Sequence, residues 1–258
     1  MKFRKPKSPA TKTIEFRLKE EIDERVFVTP EPGNQHVPKW FKDMPRFLNG
    51  EDKLHLRPLN LTGKWCVPIV DGFTSGYYVV TPYELQVSIP QKVLPKAMLE
   101  DPNISFDGLT QDITHSYPGF PAYQKRDLEL AKDFPPPAGY HPGVWVWETT
   151  MQIITPPGYS VWFMHPSNRY DLPFITASGI IDTDKTGGLG GSIPFYLRKD
   201  FEGIIPKGTP IIQIFPFKRD NWQKHDSDKR EDLLGVAKSR MQASGFYKQH
   251  NWNKKKFE

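Results

Sequence analysis

Between Tyr159 and Phe217 the chain reads YSVWFMHPSNRYDLPFITASGIIDTDKTGGLGGSIPFYLRKDFEGIIPKGTPIIQIFPF, short apolar runs separated by dense turn signals. Runs of that length bounded by Gly, Pro, Asn and Asp predict strands rather than helices. Regular strands with regular turns predict a β-barrel or β-sandwich. The pattern extends upstream. Ile14, Phe16 and Leu18 alternate with polar residues as a strand does, and Val26–Val28 form a second apolar patch. Tyr77–Thr81 and Leu85–Ile89 also read as strands, following turn signals at Asp71-Gly72 and Ser75-Gly76. Residues 144–155 form a straight or bent strand, with Trp145 and Trp147 on one face and Val144 and Val146 on the other. Pro156-Pro157-Gly158 then turns the chain, and Tyr159–Met164 is expected to return as its hairpin partner.

Helical periodicity is confined to two places. In VPKWFKDMPRF, residues Trp40, Phe41 and Met44 share one face of a short helix. Near the C-terminus, Leu233, Leu234, Ala237 and Met241 recur at helical spacing within 228–243, after Asp226 or Ser227 as a cap and before Ser244-Gly245. The expected organisation is a disordered basic N-terminus over 1–11 and one mostly-β domain over 12–217. A C-terminal helix with a basic, aromatic tail follows over 218–258. Pro135-Pro136-Pro137 with Ala138-Gly139 makes 134–140 a stiff connector, the candidate boundary within the domain. The fold class is mostly β, a β-clip or jelly-roll-like barrel with an N-terminal extension and a short C-terminal helix.

Composition agrees with this pattern. The chain has 258 residues, 26 of them Pro and 19 Gly, and turns and loops accommodate these better than helices do. Cys66 is the only cysteine, so no intrachain disulfide forms and no oxidising compartment is implied. Its place between Trp65 and Val67 predicts a buried, inert thiol. No run of about 20 apolar residues is present, and no apolar segment follows the basic start, so the expected location is the cytoplasm. The net charge of +5 belongs to the ends. The first eight residues carry +4 and the last fifteen carry +3, which leaves the remainder at −2. Such tails can neutralise phosphates or order against a partner subunit. The chain shows no zinc-finger spacing, helix-turn-helix or RNA-binding aromatic pair, so partner contact through the Phe246–Glu258 segment is the stronger expectation than nucleic acid.

Three ordered motifs carry the candidate chemistry: Pro166–Arg169 (PSNR), Gly179-Ile180-Ile181-Asp182, and Gly208-Thr209-Pro210-Ile211-Ile212-Gln213. In order and spacing they resemble the dUTPase and dCTP-deaminase superfamily, the β-clip barrels. The resemblance covers about 60 residues, under a quarter of the chain. It implies a trimer or other homo-oligomer. It implies that Asp182 sits at a nucleotide sugar and helps activate water, with Mg²⁺ on the phosphates. It implies that Ser167 and Arg169 face phosphate at a subunit boundary and that Gln213 is a structural or phosphate-near amide on the closing strand.

The chain departs from that pattern. Ser192–Leu197 carries no acid where the deaminases have a catalytic glutamate. Lys185-Thr186 replaces an aromatic, Ser167-Asn168-Arg169 replaces an arginine-serine-glycine triplet, and no glycine-rich closing arm follows. The segments NQHVPKWFKDMP and CVPIVDGFTSGYYVVTPYELQV are similar in general character to tailed-bacteriophage proteins of unassigned function.

Each motif also has a plainer reading. Asp182 and Asp184 flank a turn that aspartate stabilises. Arg169 pairs with Asp171. Gly187–Gly191 lacks the lysine and helix of a phosphate loop. His141 and His165 are two histidines without a third ligand, which does not make a metal site. The preferred expectation is a non-catalytic structural or assembly protein, phage-encoded, located in the host cytoplasm or the virion. It would use a dUTPase-like barrel as scaffold, with no cofactor and no metal. The alternative is a nucleotide-metabolising enzyme, dUTP pyrophosphatase or dCTP deaminase-like, with a divergent site and Mg²⁺. A carbohydrate-binding or cupin-like module is a third class, and no ligand cluster stands out for it.

Overall fold

A computed structural model describes residues 12–18, 28–48, 61–88, 92–95, 122–123, 135–142, 144–149, 151–185, 192–226, 247–248 and 252–258. The N-terminus 1–11, the Gly187–Gly191 cluster and the helix expected over 228–243 lie outside these residues.

The protein is mostly β, built from antiparallel sheets. The largest has five strands in the order β11 (Gly179–Ile181), β9 (Tyr159–Met164), β14 (Pro210–Lys218), β3 (Tyr77–Val80) and β2 (Glu31–Pro32). A four-stranded sheet runs β10 (Phe174–Thr176), β12 (Ser192–Leu197), β7 (Trp145–Glu148) and β6 (Ala122–Tyr123). A three-stranded sheet joins β13 (Gly203–Ile205), β4 (Leu85–Ser88) and β5 (Lys92–Pro95), and β1 (Glu15–Leu18) pairs with β8 (Met151–Ile154). Among the described residues these ladders stay four separate sheets and do not close into a ring.

All four sheets contribute to one core. Ile212, Ile214, Val161 and Val79 face inward from the five-stranded sheet. They meet Phe174, Phe195, Leu197 and Trp147 from the four-stranded sheet, Leu85, Val87 and Ile205 from the three-stranded sheet, and Met151 from β8. Trp147 stacks flat on Phe195 at 3.7 Å between centroids, and its indole N–H donates to Thr176 Oγ1 at 3.0 Å. That bond satisfies a polar group which would otherwise be costly to bury. Both faces of β7 are covered, because Val144 and Val146 are as buried as Trp145 and Trp147.

The strand expectations at 77–81 and 85–89 are met over Tyr77–Val80 and Leu85–Ser88, as are the alternation at 14–18 and the short helix, which is α1 (Lys39–Asp43). Within 144–155, where one straight or bent strand was expected, lie two strands, β7 and β8, which join different sheets. The expected hairpin with Tyr159–Met164 is corrected. The turn at Pro157-Gly158 is present, but β8 pairs with β1 whereas β9 pairs with β11 and β14. Pro156 and Pro157 have no N–H to offer a ladder, so the chain turns a corner between sheets there instead of doubling back.

The turn expected at Asp71-Gly72 is also corrected. Both residues lie inside α2 (Val67–Thr74), which Pro68 starts at its first turn. Gly72 is small for packing rather than for turning. A Cβ there would lie 3.1 Å from Asn168 Nδ2 in the loop that packs across the helix. Gly76, just past α2, does need its freedom: its φ is +75° and a Cβ would come within 2.3 Å of the Ile214 carbonyl oxygen. Cys66, expected to be buried, is exposed at the N-terminal end of α2. Apolar sequence neighbours did not decide its burial, since the helix directs Phe73 into the protein and leaves position 66 outside.

Candidate functional site

The candidate residues fall into two groups on the outer face of the five-stranded sheet. Gln213 is fully buried in the middle strand, under α2. Its Oε1 accepts from the Ser167 N–H at 2.7 Å, and its Nε2 donates to the carbonyls of Gly72 at 2.9 Å and Ser75 at 2.8 Å. One amide thus ties the β9–β10 loop and the end of α2 to β14. Tyr78, opposite Gln213 on β3, donates to the Phe73 carbonyl at 3.1 Å, and burial pushes its hydroxyl above the usual phenol range.

The loop itself is tightly specified. Asn168 takes φ +59°, a conformation that asparagine tolerates better than most residues. The Arg169 N–H donates to the Pro166 carbonyl at 3.1 Å. His165 Nδ1 accepts from the Thr176 N–H at 3.3 Å, so the neutral ring carries its proton on Nε2, which donates to the Arg169 carbonyl at 3.0 Å. Burial holds His165 below the ordinary imidazole value. With both ring nitrogens engaged by main chain, His165 is not available to a metal. Among the described residues no group of three His, Cys, Asp or Glu could hold a metal ion.

Arg169 spends its guanidinium on Asp171 in a two-pronged pair, 2.8 Å from Nε and 3.0 Å from Nη2. Its side chain is only 12% exposed. Burial alone would raise the Asp171 carboxyl, and the Arg169 pair outweighs that and holds it below the ordinary carboxylate range, with the Trp40 indole N–H adding a further bond. The pair takes two of the guanidinium's five N–H donors, the edge that would otherwise grip an oxyanion in two-pronged fashion.

The second group surrounds Asp182 at the other end of β9. Asp182 Oδ1 accepts from Ser160 Oγ–H at 2.6 Å and lies 3.2 Å from Arg219 Nη1. The hydrogen bond from Ser160, then the charges of Arg219 and Lys185, keep its carboxyl below the ordinary value. Asp184 is more enclosed, with its side chain 6% exposed. It takes Arg219 Nη1 at 2.8 Å on one oxygen, and Arg219 Nη2 with the Gly158 N–H at 2.7 Å on the other. The Arg219 bonds above all hold Asp184 at about 2. Arg219 also donates to the Tyr159 carbonyl at 2.8 Å and to Ser160 Oγ at 2.9 Å. This network pins the end of β14 and the turn after β11 onto the Pro157-Gly158 corner. A carboxylate held so acidic is a weak general base near neutral pH.

The structure therefore brings Ser167 and Gln213 into direct contact, places Arg169 in the same loop, and leaves Asp182 apart. Gln213 is in register with Met164, and Asp182 is bonded to Ser160, four residues back along β9. That is about 13 Å at the usual strand rise. The surface between is apolar: Ile180 and Trp162 are cross-strand partners and both are exposed, and Phe215 adjoins Trp162. Within one chain the four residues do not line one pocket.

Sequence reasoning missed Arg219 and Ser160, which make the Asp182–Asp184 turn a structural knot. A basic residue directly after a long apolar strand was the available signal for Arg219. Asp71, read as a turn residue, instead receives the C-terminal segment: Trp252 Nε1 donates to it at 2.9 Å and Lys255 Nζ at 2.6 Å. Comparison with known protein families finds no family model that matches this chain, and no curated protein matches it.

Proposed function

We propose that this protein is a non-catalytic structural or assembly component, phage-encoded, that self-associates as a homo-oligomer. In this reading a dUTPase-like β-clip barrel serves as scaffold and not as an enzyme. One observation carries it. Each candidate catalytic group is already bonded within the fold. Gln213 is used by three main-chain groups, Arg169 by Asp171, and Asp182 by Ser160 and Arg219. A site meant for nucleotide chemistry keeps such groups convergent and available to substrate. A fold can outlast the activity it once carried. The absence of an acid in Ser192–Leu197 and of a closing arm supports the same reading. No resident cofactor is needed for it, and location in the host cytoplasm or the virion follows from it.

The test is incubation of the pure protein with a panel of nucleoside and deoxynucleoside triphosphates and Mg²⁺, following pyrophosphate and ammonia release, with calorimetry for binding. The expected outcome is neither turnover nor binding. Turnover that Asp182→Asn abolishes would establish the enzyme reading instead, with Asp182 and Arg169 brought together across subunits.

A further inference from the structure

The last described segment, 252–258, is anchored through Trp252, Lys255, Phe257 and the Glu258 main chain, with Trp252 and Phe257 half-buried. Trp252 and Lys255 both donate to the carboxylate of Asp71 on α2, whose side chain is 16% exposed. The Phe257 ring packs edge-on against Tyr77 at 5.6 Å and near Phe215 at 6.5 Å. The Tyr77 hydroxyl donates to the Glu258 main-chain oxygen at 3.3 Å. Tyr77 belongs to the core and also meets Phe16 edge-on at 5.3 Å, so Phe257 completes the rim of the core. Gly76 leaves the room for this arrangement, since a Cβ there would crowd the Phe215 ring at 3.2 Å. The receiving surface therefore has one carboxylate and one aromatic recess, spaced to fit a Trp-x-x-Lys-x-Phe segment.

The tether to this segment is longer than the contact requires. Arg219 is fixed beside Tyr159 and Ser160, whereas Asp71 sits on the helix bonded to Gln213. Gln213 and Lys218 are five residues apart on β14, about 17 Å at the usual strand rise. Thirty-three residue steps separate Arg219 from Trp252, enough to span about 80 Å even with the helix expected over 228–243. Each of these contacts joins side chains or a side chain and a main-chain oxygen, and a second copy supplies the same atoms.

We propose that the surface formed by Asp71, Tyr77 and Phe215 is a receptor for residues 252–258 of a second copy, so that copies join by exchanging their C-terminal segments. The proposal rests on the scaffold reading and names its means of association. A tether of that length gives the intrachain contact an effective concentration in the millimolar range. In dilute solution each chain holds its own segment, and exchange sets in where copies are crowded at comparable concentration, as in an assembling particle.

A charge swap between full-length chains tests this. In Asp71→Lys the receptor repels its own Lys255. In Lys255→Glu the segment repels its own Asp71. Only when the two variants are mixed does every pairing become attractive, and then only between chains. The expected result is a one-to-one complex, read by light scattering and by energy transfer between labelled chains, with either variant alone showing less than about a tenth of that association. As a second measurement, a labelled peptide of residues 247–258 should bind Lys255→Glu, whose receptor is intact, and bind Asp71→Lys about tenfold or more weakly. This arm stands even if one variant folds poorly in the mixture. A mixture that associates no more than its separate components, or a peptide that ignores Asp71, overturns the proposal. Nucleotide turnover would overturn the scaffold reading while leaving the peptide result unchanged, so the two failures are distinguishable.

Discussion

Replacing Gln213 by alanine removes three hydrogen bonds at once and leaves their partners behind. The Ser75 carbonyl is buried with its bond and loses its partner outright, which costs about 1–3 kcal/mol. The Gly72 carbonyl and the Ser167 N–H are only partly buried, so water can reach them and each loss falls to about 0.5–1.5 kcal/mol. Together with some lost packing, the expected destabilisation is about 3–5 kcal/mol. For a chain of this size that corresponds to a fall in Tm of about 6–20 °C. Urea denaturation followed by tryptophan fluorescence reads the free energy, and a thermal melt followed by circular dichroism reads Tm.

Gln213→Glu sharpens the experiment. At neutral pH its carboxylate faces two carbonyls with no proton to give, and acidification restores one donor, so the deficit should shrink as the pH falls toward 4. If Gln213→Ala loses less than about 1 kcal/mol and instead loses nucleotide affinity, the residue is a ligand contact and the structural reasoning is wrong.

Asp184 supplies a pH dependence with a definite sign. Its folded value, about 2, lies below the ordinary carboxylate value of 3.8. Its contribution is therefore fully present above about pH 4 and is lost as the pH falls through about 2. Thermal melts from pH 2 to 6 should show that loss, and Asp184→Asn should flatten it. His165 adds a milder effect at higher pH. Its folded value is depressed by burial, so stability should decline as the pH falls below about 6.5, the ordinary imidazole value, and a His165→Gln variant should lack that decline. Gly76→Ala should fail to fold or lose more than about 3 kcal/mol, because it combines a positive φ with a main-chain clash; near-native stability would refute the assigned conformation. Cys66 should react fully with a thiol reagent in the native protein, one equivalent per chain, at the rate of an exposed thiol.

The strands were legible wherever alternation and turn residues agreed. Tyr77–Val80, Leu85–Ser88 and β1 follow directly from side-chain patterning. Which strands pair was not legible, because pairing is set by long-range contacts that local pattern does not encode. Pro156-Pro157-Gly158 was readable as a turn, but whether the chain doubles back or crosses to another sheet depends on what β1 and β14 offer from elsewhere. The Asp71-Gly72 turn signal was overridden by Pro68 one turn earlier and by the packing demand of Asn168. Within the site, Gln213 was readable as a structural or phosphate-near amide, but its bond to the Ser167 N–H, 46 residues away, was not legible. The pairing of Arg169 with Asp171 was readable because the two are close in sequence. Arg219 closes a gap of 35 residues to Asp184, and nothing local to either residue announces that bond.

The placement of β14 has a consequence for how the protein is made. This strand lies between β9 and β3, and each of them pairs with it. On a ribosome β3 emerges long before β14 exists. At about 5–20 residues per second, some 7–28 s separate Val80 from Lys218. During that interval Tyr77–Val80, buried along its whole length in the finished protein, lacks the partner that will cover one of its edges. Synthesis thus leaves an apolar edge waiting for the far end of the chain, and a chaperone that covers that edge until β14 emerges would raise the yield of folded protein.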